Sequence, residues 1–479
     1  MYKIALHKRD LFSYSACEIS AIMPTMQRYT DYFMGKKITV MGLGLLGRGV
    51  GDTAFLAEHG ADIIVTDLKT ADDLADSVKE LAAFPQIKFV LGEHREEDFI
   101  GRDLILVGPS VPLDSPYVAA AVADGARRTQ SAALFAELSG IPIIGVTGTR
   151  GKSTTSQMIH HVLETVTGEE VILGGTVRGV SNLQLLKKVT EDSLAVFELD
   201  SWQLQGWGWA EISPHIAVFT NFMEDHMNYY KGDMDVYFAD KANIFMFQEE
   251  SGVFVTTPEV FERAKDFARG RNISLGQEIV LADASVIPED FRLPVPGEHN
   301  RLNAALAYEA LKATSLSPES ILEALATFPG VQGRLEYIGD IQDIGIFNDN
   351  NSTTPAATLA GLRALGEDKN IILIMGGADK GIDPTELIEV IPTYCKQVML
   401  LPGTGTDTFL KALATSGARK DLFVESHSID AALENALAVA KRGDVVLFSP
   451  GFASFGMYKN EYDRGDKFIA AIKQHANTP

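Results

Sequence analysis

Cysteine is almost missing from this chain, with Cys17 and Cys395 the only two. So little thiol excludes a disulfide framework or a cysteine-built metal site, and the expected location is a reducing cytoplasm. Basic residues are also short: 42 Lys and Arg face 64 Asp and Glu, a formal net charge of −22. A chain this acidic is a poor binder of nucleic acid or anionic membrane, so neither is an expected partner. A small basic pocket for an anionic metabolite stays open, because local charge decides that. No uninterrupted apolar run is long enough to cross a bilayer. The first residues carry neither a secretory hydrophobic segment nor a basic run. What remains is 479 residues, 46% hydrophobic and 22% charged, with ordinary globular composition and the length of two to four domains.

Residues 1–34 mix charges, aromatics and small apolar side chains without a clear period. The ordered fold is expected to begin at residues 36–40, with Met23, Met26 and Met34 as alternative starts and the leading residues peripheral to function.

Downstream, the richest stretch is Ile144-Gly-Val-Thr-Gly-Thr-Arg-Gly-Lys-Ser-Thr-Thr155. Ile141, Ile143, Ile144 and Val146 read as a buried strand, and the run from Gln157 to Leu163 reads as a helix. Between them Gly148, Thr149, Gly151, Lys152, Ser153 and Thr154 form a glycine-rich turn. In such a turn backbone N–H groups wrap a polyphosphate, the helix N-terminus and Lys152 add positive charge, and a Ser153 or Thr154 hydroxyl can ligate Mg²⁺. Val146 stands where the common form of this loop has its first glycine. The bland alternative is a glycine turn with one exposed lysine.

Three α/β blocks follow one another. The first opens with a strand at residue 38, Gly42-Leu-Gly-Leu-Leu-Gly47, a helix through residues 54–58 and a strand ending at Asp67. The second carries the phosphate loop, with strands ending at Glu198 and Thr220. The third has strands at residues 371–375, 398–401 and 445–448, each running into Gly or Pro. Repeated strand–helix order predicts doubly wound parallel sheets with ligands beyond the carboxyl ends of the strands.

Residues with chemistry fall at those ends. Gly42, Gly44 and Gly47, with Asp67 about twenty residues on, match a dinucleotide fingerprint; alone it suits an NAD enzyme, any nucleotide diphosphate, or a tightly packed turn. Glu198 can hold Mg²⁺ or cap a helix. His226 closes Thr220-Asn-Phe-Met-Glu-Asp-His226 beside the nucleotide loop, where ligation or orientation competes with a structural role. Lys241 lies in a largely apolar helix and is a snorkelling lysine unless its surroundings say otherwise. Asn300 and Asn303 can share a helical face or, for Asn300, cap it. Asn348-Asp349, Gly376-Gly-Ala-Asp-Lys380 and the loop 449–454 suggest a small-molecule pocket in the third block.

Taken in order, Gly42-Leu-Gly-Leu-Leu-Gly47, Gly148-Thr-Arg-Gly-Lys-Ser-Thr154, Phe197-Glu-Leu-Asp-Ser-Trp-Gln-Leu204, Lys241-Ala-Asn-Ile-Phe245, Gly297-Glu-His-Asn300, Gly333-Arg-Leu-Glu336, Gly376-Gly-Ala-Asp-Lys-Gly381 and Ser449-Pro-Gly-Phe-Ala-Ser-Phe455 resemble the Mur ligases. Within that family the pattern is most similar to members that add D-glutamate to UDP-N-acetylmuramoyl-L-alanine. The resemblance runs from about Lys36 to the C-terminus.

It implies an α/β chain of three domains after the extension 1–34: a Rossmann-like UDP-substrate-binding domain over 35–128, a central P-loop ATPase domain over 129–331, and a C-terminal Rossmann-like amino-acid-binding domain over 332–479. By resemblance Gly42, Leu43, Gly44, Gly47, Asp67 and Thr176 hold the UDP substrate. Gly148, Thr149, Gly151, Lys152, Ser153, Thr154, Asn303, Arg334 and Asp349 meet ATP, and Thr353, Lys380 and Ser454 meet the amino acid. Lys152, Glu198, His226 and Lys241 form the catalytic set, and Ser153, Glu198, His226 and a carbamylated Lys241 hold two Mg²⁺ ions.

The implied reaction is amide ligation through an acyl phosphate in peptidoglycan precursor synthesis, by a cytoplasmic monomer whose partners are small molecules. The chain departs from the family at Thr176, where Asn is usual, at Asn351, where Lys is usual, and at Glu461, where an aromatic residue is usual. These changes leave open L-glutamate or another amino acid as acceptor. An NAD oxidoreductase and a non-catalytic nucleotide-binding module are the more distant alternatives, and the retained Lys152, Glu198, His226, Lys241 and Asp349 argue against both.

Overall fold

A computed structural model describes residues 25–476 apart from 46, 110, 367, 368 and 418. Cys17 and the alternative start Met23 lie outside the described residues. The chain clusters into two compact units, one of residues 1–291 with 302–325 and one of residues 292–301 with 326–479.

The first unit holds two sheets. One runs in the order Lys88–Leu91, Asp62–Asp67, Lys37–Met41, Leu104–Val107, Arg127–Thr129, with every neighbouring pair parallel. The other runs Glu278–Leu281, Val253–Thr256, Ile216–Phe219, Ile143–Thr147, Ala195–Glu198, Ile172–Gly175, also parallel throughout. Helices cover both faces of parallel sheets, so central strands are apolar at consecutive positions. Ile143–Thr147 is buried at all five. In each sheet the strand order reverses beside the first strand, at Lys37–Met41 and at Ile143–Thr147, and a crevice opens at that reversal. The two glycine loops leave from those strands.

The two sheets form one unit because the helix Arg48–Glu58 packs on residues 181–184. The Asp52 carboxylate accepts from Ser181 Oγ (2.6 Å) and from the Leu183 N–H (3.0 Å). Gln184 Nε2 donates to the Gly51 carbonyl (3.0 Å). A Cβ on Gly51 would come within 2.5 Å of the Ser181 Cβ, so the approach requires glycine. Burial raises the Asp52 carboxyl above the usual carboxylate range, against the pull of its hydrogen bonds.

Two expectations need correction here. Ordered structure does not start at residue 36. A helix, Thr25–Phe33, precedes it, and its Tyr29 and Phe33 are buried against Phe55 and His59. The third sheet is not purely parallel. It runs Glu336–Ile341, Ile344–Asn348, Val445–Phe448, Ile371–Met375, Cys395–Leu400, Phe423–Glu425, and its first pair is an antiparallel hairpin. Gln342 and Asp343 make the two-residue turn at φ 53° and 61°, the double left-handed geometry that matches strand twist. Neither residue is the usual Gly or Asn signal, so the hairpin was hidden in the sequence. The remaining neighbours are parallel. Among the described residues no helix is long and apolar enough to cross a membrane.

Candidate active site

The first glycine loop borders a cavity of about 670 Å³, lined among others by Gly42, Leu43, Gly44, Asp67, His94 and Gly108. Gly42, Gly44 and Gly47 all take positive φ, which glycine adopts without steric penalty. Gly47 ends the loop in left-handed geometry as the cap of the helix Arg48–Glu58, so that helix turns free backbone N–H groups toward the loop. Asp67 is buried and shapes the loop directly. Its carboxylate accepts from the Gly44 N–H (3.1 Å) and the Lys69 N–H (2.9 Å). Thr176 stands apart from this cavity, with its N–H on the Glu198 carbonyl (2.9 Å).

The second loop follows the strand Ile143–Thr147 and leads into the helix Lys152–Thr167. Gly151 caps that helix at φ 82°, and a Cβ there would collide with Asn303 Oδ1. A Cβ on Gly148, at φ 145°, would collide with Thr220 Oγ1. The neighbouring strand end holds the loop's shape. Asn221 accepts the Thr149 N–H on its carbonyl and the Arg150 N–H on Oδ1, both at 2.9 Å. Thr147 Oγ1 donates to the Leu199 carbonyl (2.6 Å), which ties in the strand that ends at Glu198. Lys152 Nζ curls back onto the Gly148 and Thr149 carbonyls (3.0 and 3.2 Å).

Lys241 reaches the same loop from the helix Met234–Ala242. It is 1% exposed, so it does not snorkel. Its Nζ donates to the Gly148 carbonyl (2.8 Å) and lies 5.1 Å from the Tyr237 ring centre. Burial drives its proton affinity far below that of an ordinary lysine, and the Lys152 charge pushes the same way. Asp200, Asp225 and Asp240 oppose the shift without cancelling it. The outcome is an amine that gives up its proton easily.

Glu198 ends the strand Ala195–Glu198, half-buried. The helix-capping alternative for Glu198 fails, because Asp200 caps the helix Ser201–Ala210 through the Gln203 N–H (2.7 Å). His226 sits at φ 56° with its ring 4.6 Å from that of Trp202 and Asp225 3.8 Å away. Burial lowers its proton affinity, so the imidazole is neutral near pH 7. Asp225 pairs with Arg150 at 3.0 Å. Among the described residues no three His, Cys, Asp or Glu side chains converge into a metal cage. Ser153, Glu198 and His226 therefore do not make a preformed all-protein site. They do suit Mg²⁺, which keeps several waters and is commonly bound through one or two carboxylates plus substrate phosphates.

In the second unit Asp349 follows the strand Ile344–Asn348 and is fully enclosed. It accepts from Ser352 Oγ (2.6 Å), Ser449 Oγ (2.8 Å) and the Leu335 N–H (3.1 Å). Burial lifts its carboxyl to about 6 despite these donors and the Arg334 charge. Lys380 Nζ donates to Thr353 Oγ1 (2.9 Å). Ser454 is buried on the neighbouring loop, and that loop is tied to the loop of Lys380 by paired backbone bonds between Ala378 and Ala453 (2.8 and 3.1 Å). Asn351 donates its amide to the Gln332 carbonyl (3.2 Å).

Family profiles match the chain in three consecutive stretches: a Mur ligase MurD-like N-terminal domain over residues 36–129, a Mur ligase middle domain over 146–311, and a Mur ligase glutamate ligase domain over 333–452. The chain belongs to the Mur ligase family. A UDP-N-acetylmuramoylalanine–D-glutamate ligase of Roseiflexus sp. (strain RS-1) is 36% identical over 465 residues, covering 92% of this chain and 98% of the relative. The enzyme of the same description from Borreliella afzelii (strain PKo) is 32% identical, covering 91% and 98%. Among solved structures, the UDP-N-acetylmuramate-alanine ligase of Thermotoga maritima superposes with a TM-score of 0.58 at 18% identity, covering 92% of this chain and 99% of that one. That likeness establishes the shared fold.

Several side chains that shape this Mur ligase's phosphate loop carried no motif of their own. Asn221 and Thr220 are legible only as residues after a strand. Tyr237, whose hydroxyl lies 3.4 Å from Thr149 Oγ1, sits one helical turn before Lys241. Asp240, lifted to about 6 by burial, binds Gln205 Nε2 (2.8 Å) and the Tyr230 hydroxyl (3.0 Å). An i,i+4 inspection of the helix around Lys241 would have flagged Tyr237.

Proposed function

We propose that this Mur ligase joins D-glutamate to UDP-N-acetylmuramoyl-L-alanine, with ATP converted to ADP and phosphate, in peptidoglycan precursor synthesis. The observation that carries the chemistry is the convergence of Lys152 and a buried, readily deprotonated Lys241 on one carbonyl of the phosphate loop, that of Gly148. The choice of acceptor is supported by the full-length match to D-glutamate ligases.

The substrate carboxylate oxygen attacks the γ-phosphorus of ATP. An O–P bond forms, the bond to ADP breaks, and an acyl phosphate results. The glutamate amine then attacks the acyl carbon, a C–N bond forms, phosphate departs and the amine loses a proton. This splits a difficult condensation into two easier displacements. Loop N–H groups and Lys152 meet negative charge on the transferring phosphoryl oxygens. Ser153, Glu198, His226 and Lys241 are the residues to hold Mg²⁺, which when bound neutralises phosphate charge. Lys241 joins that set as a carbamate: its neutral amine adds CO₂, releases a proton and becomes an anionic oxygen donor. Gly42, Leu43, Gly44, Gly47, Asp67 and Thr176 serve the UDP substrate. Asn303, Arg334 and Asp349 serve ATP, and Thr353, Lys380 and Ser454 serve glutamate, whose carboxylate suits the Lys380 ammonium and two hydroxyls. The working species is a cytoplasmic monomer of three domains, 35–128, 129–331 and 332–479.

Incubation with ATP, Mg²⁺ and UDP-N-acetylmuramoyl-L-alanine, with D-Glu, L-Glu and D-Asp supplied separately, tests this. Phosphate release with D-Glu alone is expected. Release with L-Glu instead would keep the ligase and change the acceptor, and release with none would defeat the reading.

A further inference from the structure

Arg464 is 0% exposed, although a guanidinium is strongly hydrated in water and loses that hydration on burial. It lies in the helix Glu461–Ala476 and spreads its fork over two strand-end loops of the third sheet. Nε donates to Asn350 Oδ1 (2.8 Å), one terminal nitrogen to the Asn350 carbonyl (2.9 Å) and the other to the Phe452 carbonyl (2.9 Å). All three acceptors are neutral amide oxygens. Asn350 is held from a third side, since its Nδ2 donates to the Glu461 carbonyl (2.7 Å). The next residue, Gly465, leaves room for this. A Cβ there would stand 3.0 Å from Asn350 Nδ2.

An apolar side chain of similar volume is commonly as good as or better than a buried ion for stability. A charged fork here is thus poorly explained as a stability device. What it provides is geometry: three donors in a fixed plane specify how two loops sit relative to each other. Those loops carry Thr353 and Ser454. A backbone bond from the Gly451 N–H to the Ser352 carbonyl (2.8 Å) joins them, and the Ala378–Ala453 pair extends the frame to the loop of Lys380.

We infer that Arg464 is a positioning residue for the amino-acid site: with Asn350 it sets the spacing of Thr353 and Ser454, and hence the fit of glutamate. This rests on the assignment of Thr353, Lys380 and Ser454 to the acceptor. Arg464 acts through the loops and touches no substrate.

The test measures KM for glutamate and for ATP, kcat and thermal midpoint in wild type, Arg464→Lys, Arg464→Ala and Asn350→Ala. The expected result is a glutamate KM raised about tenfold or more in Arg464→Lys and Arg464→Ala, with ATP KM within about twofold, a change of about 1.4 kcal/mol in glutamate recognition. Millimolar guanidinium or methylguanidinium, but not methylammonium, should lower the glutamate KM of Arg464→Ala. Asn350→Ala should shift glutamate KM in the same direction without a comparable loss of thermal midpoint. An unchanged glutamate KM, or KM values for all substrates rising together with falling thermal midpoint, would overturn the inference. If the wild-type protein itself fails to consume glutamate, the functional reading fails first and the inference with it.

Discussion

Two cations are wholly buried among the described residues, one in each compact unit: Lys241 and Arg464. Both bind backbone carbonyls in strand-end loops, yet burial acts on them differently. The lysine is driven far below its ordinary range, while the arginine is lowered only to about 10 and keeps its charge at any physiological pH. A primary amine released from its proton becomes a nucleophile. A guanidinium that stays charged is chemically inert and geometrically rigid. The first unit has placed the residue that can react beside the phosphate loop. The second has placed the one that cannot react behind the residues assigned to substrate recognition.

The largest expected effect comes from removing the reactive one. Lys241→Ala should lose about a hundredfold or more of kcat, the scale of a preorganised electrostatic group, and acetate or another short carboxylate should restore part of it. Lys241→Arg should be equally inactive and show no rescue, because a guanidinium stays protonated and fills the space. Full activity of either variant would break the contrast. Next comes Gly151→Ala, where left-handed geometry costs about 1–2 kcal/mol and the new Cβ strikes Asn303 Oδ1. ATP KM should rise severalfold while glutamate KM stays unchanged, the mirror image of the pattern expected for Arg464.

A third effect is thermodynamic. Asp349 in the folded state titrates at about 6 against an ordinary 3.8, because burial disfavours its charge. The folded chain therefore holds this proton more tightly than the unfolded chain. Stability from this group is fully present below about pH 4, falls as pH rises toward 6, and is level above that, a loss on the order of 2 kcal/mol. Asp349→Asn should flatten that part of a stability-versus-pH curve. A wild-type curve that rises over the same interval through this residue would contradict the assignment. The smallest effect is Gly465→Ala. Better helix propensity, up to about 1 kcal/mol, opposes a tight approach to Asn350 Nδ2. Stability should change little, and glutamate KM should rise about two- to threefold as the Arg464–Asn350 lock is nudged.

The two buried cations also mark how far the sequence could be read. Lys241 announces itself, since it stands in an ordered set of motifs and its helix precedes Ile244 and Phe245. The phosphate loop is legible because glycine spacing directly encodes backbone conformation, and Gly148 and Gly151 do take the expected positive φ. Arg464 gives no such sign. Its partners lie 12 and 114 residues away, and two of its three acceptors are main-chain carbonyls, which any residue supplies. The same blindness explains the hairpin at Gln342-Asp343, where the turn lacks glycine, and the helix Thr25–Phe33, whose short amphipathic face gains meaning only against Phe55 and His59. Asp67 was legible as a position, but its work on the Gly44 and Lys69 N–H groups was not.

The weld at Gly51, Asp52 and Ser181 has a consequence for selectivity. It fixes both glycine loops in one unit, so on the proposed reading the diphosphate and the reacting carboxylate of the substrate are gauged against a single rigid ruler. A sugar-peptide longer or shorter by one residue would seat its diphosphate and leave its carboxylate off the mark. The enzyme can then reject the wrong stage of chain growth by length alone, before the incoming amino acid is ever read.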